Sequence, residues 1–89
     1  MTLQEIKLWA EGRLPPPVDT IKTETSYTFF WKDVTFIVMS YKEMFNLTIT
    51  KKEPREATYG LTTIAFTGLE EQNLEPFVEF SIERLKELI

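Results

Sequence analysis

The segment Thr25–Thr50, TSYTFFWKDVTFIVMSYKEMFNLTIT, decides how this chain folds. Two short polar breaks, Lys32-Asp33 and Lys42-Glu43, divide it into three runs rich in aromatic and β-branched residues, the composition of β-strands. Read as two-residue hairpin loops, the commonest kind, the breaks fix a register. Trp31 then lies opposite Val34, Phe29 opposite Phe36 and Tyr27 opposite Val38; in the second hairpin Val38 meets Leu47, Phe36 meets Ile49 and Ser40 meets Phe45. The side-chain period of a strand is two, so Tyr27, Phe29, Trp31, Val34, Phe36, Val38, Phe45, Leu47 and Ile49 share one face. A one-residue slip would scatter that set. Neither break carries the Asn-Gly or Asp-Gly pair that a primed turn prefers, which leaves a longer loop or a bulge open.

The opposite face carries Ser26, Thr28, Phe30, Thr35, Ile37, Met39, Tyr41, Met44, Asn46, Thr48 and Thr50. Its threonines suit a solvated sheet surface. Phe30, Ile37, Met39, Tyr41 and Met44 do not, and two readings account for them. A loop or terminal segment covers them, or they form a partner surface, the simplest partner being a second copy in a homodimer.

Outward from this block, Thr2-Leu3-Gln4-Glu5 has the form of a capping box. The short helix that follows, to about Glu11, gathers Leu3, Ile6, Trp9 and Ala10 on one side, points Leu8 away and meets a stop at Gly12. Pro15-Pro16-Pro17 imposes an extended link of about 9 Å, read as a spacer, with a proline-recognition motif as the alternative. Ile21 is in phase with Tyr27, Phe29 and Trp31. After Thr50, KKEPREA reads as a charged loop stopped by Pro54. A fourth strand runs from about Tyr59 to Phe66, with Ile64 and Phe66 inward rather than Leu61 and Ala65, and ends at Thr67-Gly68. The last element is a helix from about Leu74 to the C-terminus, with Asn73 as N-cap and Pro76 in its first turn, where no intrahelical N–H is needed. At about 100° per residue, Leu74, Phe77, Val78, Ser81, Ile82, Leu85, Leu88 and Ile89 form one arc that faces the aromatic side of the sheet. The expected architecture is α-β-β-β-β-α: a two-layer α+β domain over residues 1–89, a four-stranded antiparallel meander with N- and C-terminal helices packed on one face. A helix followed by four strands is similar to the order in cystatins, but the Gln-Val-x-Gly loop of that family is absent, so the shared order implies no function.

Composition narrows the chemistry. The 89 residues hold 43% hydrophobic and 13% aromatic side chains, a globular rather than a disordered composition. There is no cysteine and no histidine, so disulfides, Cys/His zinc sites, cysteine nucleophiles and histidine bases are excluded together. The only glycines, Gly12, Gly60 and Gly68, spell neither a P-loop nor a dinucleotide-binding pattern. No catalytic residue, metal site or cofactor is expected, and the chain reads as non-enzymatic. No apolar run is long enough to cross a membrane, and MTLQEIKLWAEG lacks the basic and apolar regions of a signal peptide. A soluble cytoplasmic protein with no membrane partner is the expectation.

Charge supplies the functional candidates. The net charge of −4 is concentrated in the last third of the chain, where Glu71, Glu75, Glu79, Glu83 and Glu87 recur every four residues with only Arg84 and Lys86 nearby. Like charges at that spacing destabilise a helix by a few tenths of a kcal/mol per pair. The series is either a solvated helix face or a negative ridge, flanked by Phe80, that docks on the basic surface of a protein partner. The second reading suits a small inhibitor or adaptor of viral or mobile-element type. The alternative is a nucleic-acid-binding module in which Lys51, Lys52 and Arg55, with Lys32 and Lys42, track phosphates. It leaves only Phe30 and Tyr41 on the open face to stack bases, which makes nucleic acid the weaker partner.

Overall fold

The computed structural model describes residues 1–54 and 59–89. Helix α1 (Leu3–Arg13) leads into five strands: β1 (Asp19–Lys22), β2 (Ser26–Phe30), β3 (Val34–Tyr41), β4 (Met44–Pro54) and β5 (Tyr59–Glu70). A 3₁₀ turn (Glu71–Asn73) then opens helix α2 (Leu74–Leu88). The strands form one antiparallel sheet in the order of the sequence, and both helices lie on the same face, giving a two-layer α+β fold.

The central register is the expected one. Tyr27 pairs with Val38 and Phe29 with Phe36; Phe36 pairs with Ile49, Val38 with Leu47 and Ser40 with Phe45. Trp31 N–H donates to the Val34 carbonyl at 2.8 Å, closing a two-residue loop at Lys32-Asp33. The second loop is also two residues long, and Lys42 and Glu43 both take positive φ, 47° and 66°. A primed turn therefore forms here without glycine, because its twist suits the flanking strands. All nine residues assigned to the inner face are buried.

The sheet has five strands rather than four. The extra strand, β1, is too short and too polar (DTIK) to show a hydrophobic pattern, and all four of its residues are exposed. It adds to the edge of β2 where the proline link delivers the chain; the Val18 N–H donates to the Phe30 carbonyl at 2.8 Å. Ile21 is consequently not in phase with Tyr27, Phe29 and Trp31. It pairs with Thr28 and lies on the outer face, because the tight reversal at Glu24-Thr25 pairs odd positions with even ones.

Two boundaries also move. The charged run after Thr50 is strand rather than loop through Pro54, because β5 is long enough to pair with it as far as Tyr59. Pro54 is tolerated at the end of β4: alternation turns its nitrogen toward β3, which has already ended at Val34. Residues 55–57 of KKEPREA lie outside the described residues. At the other end β5 runs past Thr67-Gly68 to Glu70. Gly68, at φ 65°, sits in a β-bulge where the register shifts between Phe45 and Leu47, and its N–H donates to Asn46 Oδ1 at 2.9 Å. The glycine bends the strand without ending it.

The capping box of α1 is formed in both directions: Glu5 N–H donates to Thr2 Oγ1 at 3.1 Å and Thr2 N–H to Glu5 Oε1 at 3.2 Å. Gly12 is helical and does not stop α1. Pro15 does, by forcing Leu14 into an extended conformation (φ −114°, ψ 156°). Asn73 precedes α2 as expected, but its side chain makes no cap bond; the 3₁₀ turn leads into the helix instead. Ile6, Ala10 and Leu14 cover β2 and β3, while Leu74, Val78, Ile82 and Leu85 cover β4 and β5, in one continuous core. Ile64 and Phe66 face this core, half-buried, and Leu61 faces away, 63% exposed.

Candidate functional site

The acidic series starts on the 3₁₀ turn with Glu71 and continues on α2 opposite its buried arc, with all five carboxylates exposed. Four residues advance a helix by about 6 Å and rotate it about 40° past a full turn. The ridge therefore winds around α2 from the side near α1, at Glu75, toward the side of β5, at Glu87. The fold also supplies cations that lie far off in the sequence. The N-terminal amine of Met1 sits 3.4 Å from Glu71 and Arg13 of α1 reaches Glu79 at 3.9 Å. Arg84 pairs with Glu87 at 2.8 Å and Lys86 with Glu83 at 2.9 Å. Among the described residues, Glu75 alone of the five has no ion pair. The ridge is less bare than its sequence implies, though such exposed pairs each contribute at most about 1 kcal/mol.

Phe80 is the apolar member of this surface and is 52% exposed. Its ring meets Phe66 of β5 edge-on, with centroids 5.6 Å apart, and Phe66 in turn contacts Phe77 at 5.1 Å. Arg13, Pro76, Glu79, Phe80 and Glu83 line a shallow depression of about 420 Å³. Arg13 is the member that sequence reading missed; its cation also stacks on Trp9, 4.4 Å from the ring centroid. Nothing in the local sequence ties α1 to α2, so only the packed helices bring it here.

The outer face of the sheet carries the other candidate set. Tyr41 and Met44 pair across the primed turn, with Met39 two residues along on the same face, and all three are exposed, Tyr41 by 68%. Ile37 lies between Thr28 and Thr48 and is half-buried; Phe30 lies at the far end beside Asp19 and Thr35. The structure thus gathers Met39, Tyr41 and Met44 and sets Phe30 apart. No described segment covers the three, so the expected covering loop or terminus is not among the described residues.

The basic set does not converge. Lys32 and Lys42 occupy turns at opposite ends of β3, roughly 25 Å apart by strand rise. Lys51 and Lys52 are neighbours on β4 and so project to opposite faces of the sheet: Lys51 pairs with Val34 and Thr62, Lys52 with Leu61. The Lys42 ammonium lies over the Tyr41 ring at 5.4 Å. Arg55 lies outside the described residues.

On α1, Lys7 is held 3.0 Å from Glu11. The Glu11 carboxylate, and after it the Tyr27 side chain, whose ring centroid lies 5.4 Å from the ammonium, raise the Lys7 pKa above the ordinary lysine value. Among the described residues no three carboxylates converge to hold a metal ion, and no helix is long and apolar enough to cross a membrane. Comparison with protein-family models, with curated proteins and with solved structures finds no match.

Proposed function

We propose that this protein is a small non-enzymatic protein-binding module that docks through the acidic side of α2 on a basic surface of a partner protein. The observation that carries this reading is Phe80, exposed at the rim of a depression bordered by Glu79 and Glu83. An aromatic anchor beside like charges is the arrangement in which burial supplies affinity while the charges steer the encounter. An inhibitor or adaptor of viral or mobile-element type suits this size and chemistry. The exposed Met39, Tyr41 and Met44 offer a second surface for the same role.

The test compares wild type, the triple variant Glu75→Gln/Glu79→Gln/Glu83→Gln, and Phe80→Ala in capture of a partner from the source lysate and in titrations against it. At low salt the triple variant should lose about tenfold or more in affinity, mostly in on-rate, and the loss should shrink at high salt as screening weakens the wild type. Phe80→Ala should lose affinity at any salt. Unchanged low-salt affinity in the triple variant would transfer the role to the outer sheet face. Retention on single-stranded DNA at low salt would favour the nucleic-acid reading.

A further inference from the structure

The two edges of the sheet are built differently. Edge strand β1 has four residues, with charged Asp19 and Lys22 at its ends and a triple proline before it, the usual protection against pairing with another chain. Edge strand β5 has twelve residues and no proline, and no charged side chain before Glu70. Alternation shows which main-chain groups it leaves free. Met44 closes the primed turn against Tyr41, and Lys52 N–H donates to the Asp33 carbonyl at 2.9 Å, so the even positions of β4 face β3 and the odd positions face β5. Leu47, Ile49 and Lys51 therefore bond Phe66, Ile64 and Thr62. The N–H and C=O groups of Leu61, Thr63 and Ala65 point out of the sheet, and these three residues are exposed. No other described backbone group bonds them.

We propose that this free edge pairs with the same edge of a second copy, antiparallel about a two-fold axis through Thr63, giving a ten-stranded sheet across a homodimer. Under that axis Thr63 faces Thr63 of the second copy, and Leu61 faces Ala65 of the second copy. Every outward donor and acceptor from Leu61 to Ala65 then meets its complement in roughly six main-chain hydrogen bonds, with no like charges opposed. A heterologous strand would need no such self-matching register. The helix layer fits the same occupant. With α2 above β4 and β5, the two α2 helices would lie between two and three strand spacings apart, roughly 10–14 Å. Packed helices stand 8–10 Å apart, so the two α2 helices approach packing distance when the strands pair. A strip about 30 Å long, from nine strand residues, and about 20 Å deep, from the two layers, buries on the order of 1,200 Å² over both copies, above the roughly 1,000 Å² expected of a specific interface. This edge is separate from the acidic ridge, so the triple Gln variant should leave the dimer intact.

The test is sedimentation of the full chain over a range of concentrations, with variants that alter only the outward side of β5. Wild type should be a dimer at tens of micromolar. Thr63→Pro removes an outward N–H and no bond to β4; Ala65→Lys places a charge on the edge. Either should give a folded monomer by circular dichroism, or raise the dimer dissociation constant at least about tenfold. The chain has no cysteine, so Thr63→Cys alone should oxidise to a linked dimer, its α-carbons facing at about 5.5 Å. Ala65→Cys should not, its partner lying about 13 Å away, beyond disulfide reach. A monomer at all concentrations, a dimer untouched by both Thr63→Pro and Ala65→Lys, or a polymer made by pairing β5 with β1 would each overturn the proposal.

Discussion

Lys42 and Glu43 show how a single residue can be held against its preference. Both adopt left-handed conformations, φ 47° and 66°, at a cost of about 1 kcal/mol or more each relative to glycine or asparagine. The strands on either side impose the turn because their register buries Phe36, Val38, Phe45 and Leu47. Replacing the pair by Asn-Gly should raise stability by about 1–2 kcal/mol in chemical denaturation; a loss would mean that the side chains contribute contacts beyond the turn. Burial dominates elsewhere. Phe36 is fully buried and stacks on Phe29 at a centroid distance of 6.1 Å, whereas its neighbour Thr35 faces outward. Phe36→Ala should cost about 3–5 kcal/mol, and Thr35→Ala within about 0.5 kcal/mol. Lys7 adds a pH signature. Its folded pKa is raised, first by Glu11 and then by Tyr27, so its contribution to stability is complete below the ordinary lysine pKa and is lost as pH rises through the folded value. An NMR titration of the Lys7 side chain should show a midpoint above the ordinary lysine range, and Glu11→Gln should lower it.

Among the elements, β5 is held by its pairing and by its bulge. Gly68 is needed for its φ of 65° and not for space, since a Cβ there would meet only the Met44 sulfur at 4.0 Å. Gly68→Ala should therefore cost about 1 kcal/mol of conformational strain and little more, read as a shift in denaturation midpoint with an unchanged slope. The strand faces were legible in the sequence because a period of two, tested through two hairpins, admits one register. The buried arc of α2 was legible for the same reason, at the helical period, except at Ile89, which follows the last helical residue and is exposed. The elements that could not be read were those whose existence depends on a neighbour. DTIK becomes β1 because β2 has an open edge, and Lys51–Pro54 become strand because β5 is long enough to pair with them. Gly68 has the same letter in a bulge as at a strand end. The acidic residues and Phe80 could be found from spacing alone, but their partners Arg13 and the Met1 amine belong to an element at the other end of the chain.

At the scale of the molecule, each helix covers one half of the sheet: α1 lies over β2 and β3, and α2 over β4 and β5. The helices meet sparingly, through the Arg13–Glu79 pair among others, yet the buried side chains beneath them form one cluster. A shared core implies that neither half melts alone, so unfolding should be a single transition with a stability of about 5–13 kcal/mol for a chain of this length. Both tryptophans belong to the α1 half: Trp9 lies on α1 beneath the Arg13 guanidinium, and Trp31 donates its indole N–H to the Pro15 carbonyl at 3.0 Å. Tryptophan fluorescence therefore reports one half, while far-ultraviolet circular dichroism reports the whole. Leu85, fully buried on α2, belongs to the other half. Leu85→Ala should cost about 2–5 kcal/mol and lower the melting temperature by roughly 10–30 °C. The fluorescence transition should move with the dichroism transition although no tryptophan is near the change. Ile6→Ala, the matching change under α1, should act alike. A fluorescence midpoint that stays in place in Leu85→Ala while dichroism shifts would mean two independently melting halves and would sink the single-core account.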